Sequence, residues 1–125
     1  MERVLHVEDE IDIQAVAKIA LEDIGGLRVE SAGSGKEALA KVAAFAPDVI
    51  LLDVMMPGMD GPATLRALRA LPGAAHVPVV FMTAKIQSHE VEDYLKMGAL
   101  GVLSKPFDPM TLAGDLQRLL EAKPA

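Results

Sequence analysis

A chain of 125 residues, 51% of them hydrophobic and none of them cysteine, is long enough for one domain with its own core. That composition excludes disorder, disulfide staples and thiolate metal sites. A net charge of −6 with only 3% aromatics offers neither a basic face nor stacking rings, so no nucleic-acid partner is expected.

The first apolar run, residues 4–7, ends at Glu8 and Asp9 and suits a strand buried on both faces, with His6 packed inside it. Ile13, Val16, Ala20 and Ile24 then recur at helical spacing, and Gly25-Gly26 closes that helix. Leu27 and Val29 alternate with Arg28 and Glu30, the pattern of an edge strand with one wet face. Ser34 and Glu37 form a capping box ahead of a second helix that buries Leu39 and Val42. The run 49–52 ends at Asp53. Asp60 or Gly61 caps a third helix through Leu65 and Leu68, which stops near Pro72-Gly73.

A fourth apolar run, 77–82, ends at Thr83, and Ser88 opens a helix with Val91 and Leu95 on one face, closed by Gly98. The last run, 102–104, ends at Lys105. Asp108 and Pro109 supply an N-cap and first helical residue for a final helix carrying Leu112, Leu116 and Leu119. No apolar run reaches the length of a membrane span, and the residues after Met1 do not open a leader. The expectation is a cytoplasmic protein with no membrane partner.

Five repeats of strand then helix predict the α/β class, a doubly wound five-stranded parallel sheet with five helices, as a single domain over residues 1–125. Right-handed crossovers and helices on both faces leave few strand orders, and among them the known doubly wound order 2-1-3-4-5 would set the first and third strands side by side. Parallel strands end on one edge, where open α/β sheets bind ligands. Glu8, Asp9 and Asp53 would meet there with Thr83 and Lys105. Clustered carboxylates repel, and a hard, oxygen-seeking Mg²⁺ would offset that repulsion. Asp53, with one oxygen free, would be a nucleophile toward phosphorus. The hydroxyl of Thr83 and the ammonium of Lys105 would bind the phosphoryl oxygens. Read singly, each residue has an ordinary structural role: Asp9 as a helix cap, Glu8 and Lys105 as surface charge, Asp53 and Thr83 as strand ends.

Val7-Glu8-Asp9-Glu10, Asp53 with the loop Met56-Pro57-Gly58-Met59-Asp60-Gly61, Met82-Thr83-Ala84 and Ser104-Lys105-Pro106-Phe107 follow in order along the whole chain. In these motifs the chain resembles the CheY-like receiver domains of two-component response regulators. The resemblance implies a flavodoxin-like fold and an Asp53 that accepts a phosphoryl group from a histidine kinase or histidine phosphotransfer protein. It implies Mg²⁺ held by Asp9, Asp53 and the backbone carbonyl of Met55, with Glu8 acting through water, and a cis Lys105-Pro106 bond. It also implies a downstream effector on the face of the fourth helix, fifth strand and fifth helix. Beyond self-phosphorylation and autodephosphorylation, no enzyme activity is implied.

One position departs from the family pattern. Val102 stands three residues before the lysine, where the family often has Tyr or Phe, so the aromatic half of the usual switch is missing. Met55 and Lys85 occupy positions where the family varies its dephosphorylation rate. Two alternatives carry the same residues: a receiver cut from a longer regulator with an output domain, and a metal-dependent phosphohydrolase working through an aspartyl phosphate. A dehalogenase-type phosphohydrolase would want a second Asp at position 55, and Met55 stands there. Gly33-Ser34-Gly35-Lys36 does not make a phosphate loop, because Glu37 and Glu30 fill its key positions. His6, His76 and His89 lack metal-ligand spacing.

Overall fold

The computed structural model describes residues 2–122. Met1 and residues 123–125, the ends of the single domain read from the sequence, lie outside the described residues. The strands are β1 (Arg3–Val7), β2 (Arg28–Ala32), β3 (Val49–Asp53), β4 (Val79–Thr83) and β5 (Gly101–Ser104). The helices are α1 (Ile11–Lys18), α2 (Gly35–Phe45), α3 (Gly61–Arg69), α4 (Ser88–Lys96) and α5 (Leu112–Glu121). All pairings are parallel and the order is β2-β1-β3-β4-β5, the doubly wound order expected.

Alternation along the strands divides the interior into two cores. Leu5, Val7, Ile50, Leu52 and Phe81 face α2 and α3, where Ala38, Val42, Leu65 and Leu68 complete one layer. Val4, Val49, Leu51, Val80 and Met82 face the other side, against Ala17, Leu21, Leu112 and Leu116. Strands β3 and β4 are buried throughout, so their polar terminal residues, Asp53 and Thr83, are held on rigid supports.

Several elements differ from the sequence reading. Of the expected stripe Ile13, Val16, Ala20 and Ile24, the first helix fully buries Ala20 alone. Its buried residues are Ala17, Ala20 and Leu21, while Val16 and Ile24 are exposed. Small alanines let the helix sit close to the sheet, and residues Ile19–Ile24 widen into a π-helix that turns Ile24 outward. The capping box closes one residue early: Ser34 accepts from the Glu37 N–H at 3.1 Å, but Glu37 accepts from the Gly33 N–H at 2.7 Å.

β4 starts at Val79 rather than Val77, because Val77 belongs to the turn before Pro78 and donates to Ala74. α4 rests on the core through Tyr94, whose ring centroid is 5.1 Å from that of Phe81, and Leu95 is exposed. α5 begins at Leu112, since Asp108 spends its carbonyl and carboxylate on a separate turn through Met110 and Thr111.

Candidate functional site

The C-terminal ends of β1, β3 and β4 and the residue after β5 form one pocket edge. Glu8 follows β1, and its amide donates to the Ala32 carbonyl at 2.9 Å, which extends the pairing with β2 by one residue. Asp53 is the last residue of β3 and lies beside Met82, so Thr83 is one step further on the neighbouring strand. Gly61 lets α3 begin against the end of β3: a Cβ there would stand 2.7 Å from the Asp53 carbonyl oxygen. Asp60 caps that helix, accepting from the Ala63 N–H at 2.9 Å.

Carboxylate oxygens of Glu8, Asp9 and Asp53 lie within 4.8 Å of one another. Glu8 and Asp53 are buried, and Asp9 is the most open of the three. The Lys105 ammonium reaches across from the end of β5, donating to Glu8 Oε1 at 2.6 Å and to Asp53 Oδ2 at 3.0 Å. The other Glu8 oxygen accepts from the Glu10 N–H at 3.1 Å. The five residues read from the strand ends therefore lie on one edge, four of them in one charged cluster. The Lys105-Pro106 bond is cis, as expected.

Burial pushes the Asp53 carboxyl up to about 6; the bond from Lys105 opposes this, and the charges of Glu8 and Asp9 add to it. Burial works against the charged form of Lys105, yet its bonds to Glu8 and Asp53 outweigh that and raise its pKa. The ammonium thus stands in as the cation of this pocket. The donor set is all oxygen and anionic, which suits Mg²⁺. Both Glu8 oxygens carry a donor, whereas Asp53 has one on Oδ2 alone.

The Thr83 hydroxyl is buried and accepts from the Lys85 N–H at 3.0 Å, which ties it to the loop leading into α4. Met55 lies in the loop after Asp53 and is 70% exposed. Beside it a cavity of about 570 Å³ runs from Asp53 and Lys105 to an apolar wall that includes Ile13, Val16 and Phe107. Val102 is half-buried against the core layer that also holds Tyr94.

Sequence reasoning missed two supporting residues. Gln14 donates through Nε2 to the Glu8 carbonyl at 2.6 Å and pins the turn that carries Glu8 and Asp9. Its position inside a helical pattern gives no hint of this; the signal is only that a polar residue falls beside the acidic strand end. Gly61 reads in the sequence as a possible cap, while its necessity comes from close approach to β3. His6 is packed, as expected, but its Nδ1 has no hydrogen-bond partner.

A family model described as the response regulator receiver domain matches residues 4–117. The chain is 36% identical over 119 residues to the DNA-binding response regulator MtrA of Mycolicibacterium paratuberculosis, covering 95% of this chain and 51% of that protein. It is 42% identical over 95 residues to the response regulator PleD of Caulobacter vibrioides, covering 76% of this chain and 21% of that protein. The chain thus spans about half or less of the length of these curated relatives. Among solved structures, the chemotaxis protein CheY4 of Vibrio cholerae superposes with a TM-score of 0.87 at 38% identity, covering 95% of this chain and 98% of that one.

Proposed function

The chain belongs to the response regulator receiver family of two-component signalling, and on that footing we propose that Asp53 is its phosphoacceptor and that its phosphorylation controls partner binding. The observation that carries this reading is the buried Asp53 carboxylate at a rigid strand end, with Lys105 on one oxygen and two further carboxylates beside it. One Asp53 oxygen forms a bond to phosphorus as the donor's bond to phosphorus breaks. Lys105 and Thr83 hold the phosphoryl oxygens that gain charge. Asp9, Asp53 and the Met55 carbonyl, with Glu8 acting through a water, would hold a Mg²⁺ ion, which would supply positive charge to the phosphoryl oxygens.

The donor is a histidine kinase or phosphotransfer protein, and the effector reads the α4, β5 and α5 face. Apart from accepting and hydrolysing its own phosphoryl group the domain performs no reaction. No helix among the described residues is long and apolar enough to cross a membrane, in keeping with a cytoplasmic place of action. An output domain joined to this receiver remains compatible with MtrA and PleD, which are longer than this chain. A phosphohydrolase acting on external substrates is disfavoured by Met55 at the position where a second Asp would serve it.

Intact mass after acetyl phosphate and Mg²⁺ tests the assignment. One added phosphate is expected, and none in Asp53→Asn. Label that persists in Asp53→Asn would refute Asp53 as the acceptor.

A further inference from the structure

We propose that Met55 is a peroxide-sensitive modification site, whose oxidation to the sulfoxide shortens the life of the phosphoryl group on Asp53. The inference rests on the phosphoacceptor reading and adds a regulation of the same site. Met55 is 70% exposed, whereas Met56, next in the chain, is 8% exposed and Met82 is 2% exposed. A thioether is oxidised where oxidant can reach it, so the fold itself sorts these sulfurs. What sets Met55 apart from other exposed methionines is its place. It lines the cavity of about 570 Å³ that opens onto Asp53 and Lys105, which Met56 does not reach; the two methionines share only a second cavity of about 460 Å³ with Pro57, Gly58 and Asp60.

The reaction is a two-electron oxygen transfer. A sulfur lone pair of Met55 attacks one oxygen of hydrogen peroxide, an S–O bond forms, the O–O bond breaks, and the departing hydroxide leaves as water after gaining the proton. Sulfur is oxidised and the peroxide reduced. Apart from Asp12, Asp53 and Lys105, the first cavity is walled by apolar groups, and the native Met55 thioether is too weak to serve a water approaching Asp53 as a strong acceptor. A sulfoxide oxygen is such an acceptor. It can orient the water that attacks phosphorus, the step that hydrolyses the aspartyl phosphate. Methionine sulfoxide is reversible by dedicated reductases, so the change has the form of a switch.

The test uses the whole chain with dilute hydrogen peroxide. Peptide mass mapping should find Met55 oxidised while Met56 and Met82 stay reduced. Phosphoryl decay should then quicken by about threefold to tenfold, the worth of one hydrogen bond to the attacking water. Each protein is compared with itself before and after peroxide. Met55→Leu should lose the acceleration, and Met97→Leu, altered at the far end of α4, should keep it. Methionine sulfoxide reductase should restore the slower decay. Decay unchanged by oxidation at Met55, or an acceleration that survives in Met55→Leu, would overturn the inference alone. Absence of any label in untreated protein would overturn the phosphoacceptor reading and this inference with it.

Discussion

His6 and Asp53 are both buried, and burial gives them opposite responses to acid. His6 is held down to about 4 by burial first and then by the charge of Lys105, so it stays neutral in the fold. An unfolded histidine protonates near its ordinary value, so the stability lost to His6 grows as pH falls from 6.5 toward 4. Asp53 is pushed up to about 6, so without metal its ionisation costs stability at neutral pH, and that cost fades as pH falls through 6 toward 3.8. Melting curves in EDTA should separate the two. Asp53→Asn should melt above wild type at pH 7, with the gain shrinking by pH 4.5. His6→Leu, which also removes the unpartnered Nδ1, should gain about 1 kcal/mol at pH 7, with the gain widening by pH 4.5. Parallel pH trends in the two variants would refute the assignment. Asp53 was legible in the sequence because a carboxylate closing a wholly apolar run is costly to bury and therefore marks a place where charge is used. The Lys105 bond to Glu8 was not, since it joins residues 97 apart and depends on strand order and side-chain reach together.

The leucine faces of α3 and α5 are buried as the sequence pattern reads, whereas the expected cap of α5 at Asp108 and the stripe of α1 depart from it. The Ser34 and Asp60 caps are as expected because a side-chain oxygen and a nearby N–H decide them locally. The α1 stripe held only at Ala20, because Ala17 and Leu21 share the sheet-facing side with it and leave Val16 outside. α4 has no fully buried side chain and is anchored mainly by Tyr94 on Phe81. It is therefore the helix with least burial to resist displacement. Thr83 is bonded to the Lys85 N–H, and a phosphoryl group on Asp53 offers its hydroxyl a charge-assisted partner instead. Movement of Thr83 then reaches the loop and α4 directly, while Val102 can only repack slightly. A beryllofluoride mimic should shift NMR signals of residues 84–91 more than the Val102 methyls. Changes confined to α1, with Thr83 and its loop silent, would refute this route.

At the scale of the molecule, two apolar layers carry the fold and the acidic edge works against it. The parallel sheet and its two-sided core follow from alternation of apolar runs and helical stripes, while the strand order was legible only by likeness to a known doubly wound pattern. How the fold lives with its buried carboxylates was not, because it turns on one ammonium. Lys105 bridges Glu8 and Asp53, and removing it leaves two buried acids without a cation. Breaking such a pair from one side is destabilising. Lys105→Ala should therefore melt below wild type in EDTA. Mg²⁺ at ten times its dissociation constant should add about 1.4 kcal/mol to wild type, since it binds only the folded state. Without the competing ammonium, Lys105→Ala should bind Mg²⁺ at least as tightly, and its melting temperature should rise more for the same added metal. Yet its phosphorylation should fall, because among the described residues no other side-chain cation pairs with Asp53. Thermal melts across a Mg²⁺ titration, with acetyl phosphate labelling of the same samples, read both effects. Weakened Mg²⁺ binding in Lys105→Ala would mean that the lysine organises the acidic edge rather than standing in for the metal.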